Sequence, residues 1–497
     1  MIFNANKRND LQRLEIDVDG LHIPLVNHTR YLGVSIDLKL NMKLHINNIL
    51  RETSNSINLM KCLAGKNWGA DRSILKLFYT AAIRSKIEYA APLMAEMCDN
   101  NYYQLEKIQN QALRKITGGM RTTPIPALRM ETGIMSLKGR IQQLAIKYIL
   151  KISDEVNHPN QKVIQLHTSV IHTTHFGIPW NYAKPLVPAV ANIISKLGIN
   201  EDLIQIKLES PEINFKDVII NIDTYPVCKK EDSLQVKRNC LLNTLSEKYP
   251  SFQQYYTDGS KIGEKVGYSV LSKETGKTIT GRLEEGVSVF DAEMTAIEKA
   301  LRMIHGECPQ NSKAVVLSDS RSAIAAIKGN SHKSVMGIYD ELKKCQEKAI
   351  TVGLQWCPSH CDIDGNEKAD KLAKEATLLG SISSECTNFY SKYRRITWLL
   401  KKSEINRNLE KSSNRYVEYF KGKTPNKKYI PITRKAANII FRLRTQHAAT
   451  KEHLKKLNLS ETNMCDCAGD IQSIRHLLEE CHITENLRSA VKQIATH

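Results

Sequence analysis

Residues 314–317, Ala-Val-Val-Leu, are apolar without a break, and Ser318-Asp319 follows at once. An apolar run this short and unalternated reads as a strand buried on both faces, inside a sheet covered by helices. Its surroundings fit. Segments 252–257, 266–271 and 277–283 read as three strands separated by glycine-bearing turns. Segment 289–303 has helical periodicity, as do 322–327, 335–347 and 364–378, and 352–357 reads as a further strand. The order is three strands, helix, strand, helices, strand, helix. It predicts a mixed α/β fold: a five-stranded sheet with an antiparallel meander, a parallel part and flanking helices.

Four acids stand where an ordinary core would not put them. Asp258 follows a strand in Thr257-Asp258-Gly259-Ser260, and Asp319 closes the buried run. Glu293 lies on the inward stripe of its helix with Ile297 and Ala300, and Asp370 shares a helix face with Asn366 and Ala373. Singly, each has an ordinary structural explanation: a turn aspartate or N-cap, the edge of an amphipathic stripe, an i,i+4 pair with Lys374. Together they offer oxygen ligands from two strand positions and two helices. Buried carboxylates need a partner, a proton or a metal. Oxygen-only shells suit Mg²⁺, and two such ions would support in-line hydrolysis of a phosphodiester.

The motifs that carry these acids are Tyr-Tyr-Thr-Asp-Gly-Ser at 255–260, Ala-Glu at 292–293, Ser-Asp-Ser at 318–320 and Trp-Cys-Pro-Ser-His-Cys-Asp-Ile-Asp-Gly-Asn-Glu-Lys-Ala-Asp at 356–370. Over about 250–380 the chain resembles ribonuclease H type 1. The resemblance implies a ribonuclease H-like fold and a metal-dependent endonuclease that cuts the RNA strand of RNA–DNA hybrids, leaving a 5′-phosphate and a 3′-hydroxyl. It implies Asp258, Glu293, Asp319 and Asp370 as catalytic acids holding two Mg²⁺ ions, with Mn²⁺ able to substitute. His360, ten residues before Asp370, matches a mobile-loop histidine that assists proton transfer or product release. Cys357 and Cys361 flank His360 and read as filler rather than ligands. No basic helical protrusion is evident between Ala326 and Thr351.

The chain is too long for one core, at 497 residues, and divides by pattern into four parts. Residues 1–160 begin with strand-like pieces at 14–18 and 31–36 and then turn helical, with apolar positions Leu75, Phe78, Tyr79, Ala82 and Ile83 at helical steps. A helix near 102–117 should end at Gly118-Gly119. Residues 161–249 are proline-bearing and read as a linker; 250–380 are the nuclease-like part; 381–497 are a basic helical region. Arg-Tyr-Leu-Gly-Val-Ser-Ile-Asp at 30–37, His45, Arg-Ser-Lys-Ile-Glu-Tyr-Ala at 84–90 and Leu-Glu-Lys-Ile-Gln-Asn-Gln-Ala-Leu-Arg-Lys-Ile-Thr-Gly at 105–118 are similar to the thumb-like end of Jockey-like and I-factor-like non-LTR retrotransposon polymerases. That resemblance implies the C-terminal part of a polyprotein. The polymerase palm is missing, and no Asp-Asp pair occurs in the sequence. The alternative is a catalytically idle nucleic-acid-binding remnant.

Near the C-terminus, Cys465, Cys467, His476 and Cys481 could close a tetrahedral Zn²⁺ shell, or remain reduced and unligated. Lys401-Lys402, Lys427-Lys428, Arg434-Lys435, Arg442 and Arg444 interleave with Tyr416, Tyr419, Tyr429 and Phe441. Such a series can track phosphates and stack on bases, or can be a solvated surface over core aromatics. The net charge of +19 divides into about +9 over 1–249, −1 over 250–380 and +11 over 381–497. Basic flanks around a near-neutral centre suggest nucleic acid gripped at the sides and cut in the middle. Residues 1–10 lack a signal-peptide core and no long apolar run appears, so the expected setting is nucleus or cytoplasm, neither secreted nor in a membrane.

Overall fold

The computed structural model describes residues 16–23, 26–37, 42–65, 68–95, 97–153, 158–160, 186–198, 218–229, 231–329, 335–383, 389–410 and 433–486. The chain forms two compact units: Met1–Ala145 with His175–Val190 and Lys401–His497, and Ile146–Thr174 with Ala191–Leu400. Among the described residues no helix is long and apolar enough to cross a membrane.

In the first unit, β1 (Ile16–Val18) pairs antiparallel with β2 (Leu21–Ile23), and β3 (His28–Tyr31) with β4 (Val34–Asp37). The single strand expected at 31–36 is therefore two. The chain reverses at Leu32 and Gly33, with φ of 45° and 80°. Glycine takes that conformation without steric penalty, which lets the hairpin turn inside a β-rich stretch. Helices Lys43–Cys62, Arg72–Phe78, Asp99–Thr117 and Ile125–Thr132 follow, with a π-helical turn at Tyr79–Arg84. Leu75, Tyr79 and Ile83 are fully buried, as their spacing predicts, and Gly118 at φ 69° ends the Asp99–Thr117 helix.

Helix Arg434–Arg444 belongs to the same core: Phe441 is buried among Leu105, Ile116 and Leu128. Arg72 lies over the Phe441 ring at 5.7 Å and donates to Glu131, Thr117 O and Ala437 O. Arg434 donates to the carbonyls of Gly65, Ala70 and Lys115, and Arg442 to that of Gly118. Phe441 thus cannot stack on a base, and these two arginines satisfy helix-end and loop carbonyls instead of lying open as a phosphate track. Tyr416, Tyr419, Lys427, Lys428 and Tyr429 lie outside the described residues.

The second unit is built on one sheet in the order β11-β8-β7-β6-β9-β10-β5. The strands are β5 (Val218–Asn221), β6 (Gln253–Ile262), β7 (Lys265–Ser272), β8 (Thr278–Leu283), β9 (Lys313–Ser318), β10 (Thr351–Trp356) and β11 (Ile382–Ser383). β6, β7 and β8 form the expected antiparallel meander; β6, β9, β10 and β5 run parallel. The five strands read from sequence are all present. The two edge strands leave no sequence pattern: β5 is four residues in the proline-bearing 161–249 segment, and β11 is only two.

Alternation on the strands sorts two buried faces. Tyr255, Val270 and Val316 pack with Met294, Ile297 and Leu301 of helix Val289–Glu307. Tyr256, Val315 and Leu317 pack with Leu241, Cys357, Cys361 and Ala369 on the other face. β9 is covered on both sides, which explains its unbroken apolar run. Cys357 and Cys361 serve that second face as small apolar side chains.

Candidate active site and metal centre

Each acid is delivered by a different element. Asp258 sits inside β6, Asp319 immediately after β9, Glu293 in the second turn of helix Val289–Glu307, and Asp370 in helix Asp364–Ala376. β6 and β9 are parallel neighbours, with Thr257 opposite Ser318, so their aspartates emerge side by side. The helix comes close because Gly259 has no side chain: a Cβ there would lie 2.7 Å from the backbone nitrogen of Glu293. Ser288 and Asp291 form a capping box that fixes the start of this helix.

Carboxylate oxygens of Asp258, Glu293 and Asp319 lie within 4.8 Å of one another. Asp258 and Glu293 are each only 5% exposed. Burial, then repulsion from Asp319 and Asp370, pushes the Asp258 carboxyl up to about 7. Burial, then the charges of Asp258 and Asp319, raises Glu293 well above its ordinary value, with the nearby Gly259 backbone and Ser318 side chain opposing the shift. Asp319 is raised by burial and then by Asp370, and His360 opposes the shift. Glu293 Oε2 is buried without a hydrogen-bond partner among the described residues. Crowded carboxylates with one orphaned oxygen are what a divalent cation relieves, and the donor set is all oxygen.

Asp370 stands beside this trio rather than in it. Its Oδ2 accepts from Lys374 Nζ at 2.6 Å, so the i,i+4 pair and the proximity to the other acids are both real. Asp370 also gathers with His360 and Glu367, their ligand atoms within 4.8 Å of one another. His360 is exposed in the loop before the helix, at φ 54°. Glu367, one turn before Asp370, adds a carboxylate beyond the four acids expected from sequence. Trp356 Nε1 donates to the Asp319 carbonyl at 3.1 Å and fixes the end of β9.

Helix Phe389–Glu410 begins in the basic 381–497 region, and its residues up to Leu400 belong to this unit. Arg394 reaches Asp291 at 3.3 Å, Arg395 pairs with Glu284, and Trp398 lies against Gly286. These contacts clamp the loop and cap that set the Glu293 helix in place.

In the first unit, Cys465, Cys467, His476 and Cys481 converge, with their ligand atoms within 4.8 Å of one another. Cys465 and Cys481 sulfurs are 3.7 Å apart, and Cys467 Sγ lies 3.1 Å from His476 Nε2. Two sulfurs bound at about 2.3 Å to one tetrahedral ion would be about 3.8 Å apart, so the geometry fits zinc. The Cys467 backbone N–H, with neighbouring thiols and His476 assisting, pulls Cys465 down to about 6. His476 Nδ1 faces Glu480 at 3.6 Å, a suitable outer partner for a ligating imidazole.

The family model for RNase H matches residues 252–377. A Pol polyprotein of caprine arthritis encephalitis virus (strain Cork) is 33% identical over 126 residues, 25% of this chain and 11% of that polyprotein. The matched part of the chain thus spans about a tenth of the length of that relative. Among solved structures, the N-terminal RNase H domain of a Mycobacterium tuberculosis protein, determined as a fusion with maltose-binding protein, is 18% identical. It covers 25% of this chain and 94% of that one, at a TM-score of 0.21. Residues 252–377 are thus similar to RNase H domains.

Proposed function

We propose that this chain is a divalent-metal-dependent endonuclease that hydrolyses the RNA strand of RNA–DNA hybrids, with its reaction centre at Asp258, Glu293 and Asp319. The observation that carries this reading is the convergence of these three carboxylates, two of them nearly buried, with Glu293 Oε2 unpartnered among the described residues. They and Asp370 would hold Mg²⁺. Bound there, Mg²⁺ ions supply charge neutralisation at the scissile phosphate and lower the pKa of an attacking water. The protein's own part is placement. Gly259 admits the Glu293 helix, Trp356 fixes Asp319, and Lys374 restrains Asp370. His360 is exposed beside Asp370 and Glu367, where an imidazole can take up and release a proton.

The motifs at 30–37, 84–90 and 105–118 support placing this domain in the C-terminal part of a retrotransposon polyprotein, with basic flanks gripping nucleic acid. The cysteine–histidine cluster supports one structural Zn²⁺, held by Cys465, Cys467, His476 and Cys481. The test of the central reading is incubation of an end-labelled RNA–DNA hybrid with the full chain and Mg²⁺. The expected products carry 5′-phosphate and 3′-hydroxyl ends on the RNA, with none formed on double-stranded DNA. A hybrid left intact under both Mg²⁺ and Mn²⁺ would reduce the chain to a binding remnant.

A further inference from the structure

A cavity of about 410 Å³ opens in the N-terminal unit, and the nuclease reading makes no use of it. Three segments distant in sequence converge there: the β3–β4 hairpin, the first half of helix Lys43–Cys62, and residues 85–89. Its wall mixes apolar and polar surface, and its charged groups are mostly cationic. Arg30, Arg51 and Lys86 line it, and Glu52 is the single acid among the lining residues.

His45 is a built part of the wall. It is 5% exposed, and the Ser35 backbone N–H donates to its Nδ1 at 3.5 Å. Burial lowers its pKa, so the ring is neutral near pH 7. With Nδ1 accepting, that neutral ring carries its proton on Nε2. Nε2 is buried and has no hydrogen-bond partner among the described residues. A buried N–H without an acceptor is unfavourable, and His45 that carries it is one of the residues lining the cavity. Ser35 adds a second donor: its Oγ accepts from Asn48 Nδ2 at 2.9 Å, leaving its own proton for another acceptor.

The remaining walls suit more than a bare anion. Tyr89 is anchored by its hydroxyl, which donates to the Leu32 carbonyl at 2.9 Å, yet it stays 66% exposed. A ring fixed at one end and open on its face is a stacking platform for a base. A carboxylate such as Glu52 accepts hydrogen bonds from a ribose hydroxyl. The volume is that of a small-molecule site.

We propose that this cavity binds a nucleotide through its phosphomonoester, with His45, Ser35, Arg30, Arg51 and Lys86 on the phosphate, Tyr89 on the base and Glu52 on the sugar. The ligand is either the 5′-phosphorylated end of a strand or a free mononucleotide; both present the same group. The site lies outside the RNase H domain and stands independently of the nuclease reading.

The test is fluorescence anisotropy with the full chain in buffer without added Mg²⁺, using a labelled single-stranded DNA ten-mer bearing either a 5′-phosphate or a 5′-hydroxyl. DNA alone is not cleaved under the nuclease reading, so the result does not depend on it. The expected result is about tenfold tighter binding of the phosphorylated strand, an advantage abolished in the Arg30→Ala/Lys86→Ala variant. Both side chains are exposed, and an unchanged melting temperature confirms that this variant is folded. AMP should compete at concentrations at least tenfold below those at which inorganic phosphate does. Selective AMP binding with no preference for the strand end also supports the site and assigns it to free nucleotides. Absence of both preferences overturns the proposal, as does a preference that survives in the double variant, or inorganic phosphate competing as well as AMP.

Discussion

Gly259 and Glu293 meet with no side chain between them: a Cβ on Gly259 would sit 2.7 Å from the Glu293 backbone nitrogen, closer than real Cβ contacts come. The strand that carries Asp258 therefore holds the helix that carries Glu293 at a distance only glycine permits. Gly259→Ala should push that helix outward, lowering stability by about 1–3 kcal/mol through overpacking. Hybrid cleavage should fall more than tenfold, because misplacement of a ligand by a fraction of an ångström is costly. Thermal melting and single-turnover cleavage check the two effects separately.

The acidic trio makes the metal-free protein sensitive to pH in a defined direction. The Asp258 carboxyl is held near 7 in the folded chain, above the ordinary aspartate value, and Glu293 and Asp319 are raised too. A group with a raised folded pKa favours folding in its protonated form. Its contribution is complete below the unfolded pKa near 4 and is lost as pH rises through the folded value. In chelator, the melting temperature of the unit that carries these acids should decline from about pH 4 to pH 8. Added Mg²⁺ should reverse the decline at the upper end. A melting temperature that rises over this range would contradict the crowding of these acids.

Under the proposed function Lys374 would compete with metal for Asp370, its Nζ lying 2.6 Å from Oδ2. Half-exposed pairs of this kind are worth about 0.2–1 kcal/mol. Lys374→Met should lower the Mg²⁺ concentration for half-maximal cleavage by about two- to fivefold. The maximal rate should change little. A metal titration at fixed hybrid concentration measures this.

The cysteine–histidine cluster predicts one zinc per chain in protein purified under reducing conditions. Cys481→Ser should abolish stoichiometric zinc and lower the melting temperature of the N-terminal unit, since residues 401–497 belong to that unit. Metal analysis that finds no zinc in the wild-type chain ends the assignment.

Phe441 is the buried anchor of helix Arg434–Arg444 in the N-terminal core. Phe441→Ala should cost about 3–5 kcal/mol. Removal of 381–497 should therefore do more than weaken hybrid binding. It would strip this anchor from one unit and the Arg394, Arg395 and Trp398 contacts from the other. A chain ending at 400 should keep more nuclease activity than one ending at 380, and the two truncations compared directly decide this.

The nuclease-like unit was legible because its signals are local. The β9 run, the glycine turns and the helical stripes each fit within a window of about 11–18 residues, and the acids sit on or next to the elements that those signals define. The cysteine–histidine spacing was legible for the same reason. What escaped the sequence is what depends on distant partners. Arg434 and Arg442 look like an open basic stripe until the carbonyls of Gly65, Lys115 and Gly118 are placed beside them. β5 and β11 are too short for any period to show, and pairing alone makes them strands. The hairpin at Leu32-Gly33 hid inside a run of β-formers because its turn rests on one glycine and one strained leucine.

The most direct test of the central claim is cleavage of a labelled RNA–DNA hybrid by the Asp258→Asn and Asp319→Asn variants in Mg²⁺. Each substitution keeps the side-chain shape and removes a charge that burial and its neighbours disfavour. The metal-free variants should therefore melt no lower than the wild type at pH 8. The account predicts cleavage reduced by at least a hundredfold in both, with the fold intact. Cleavage persisting at wild-type rate in either folded variant would contradict it.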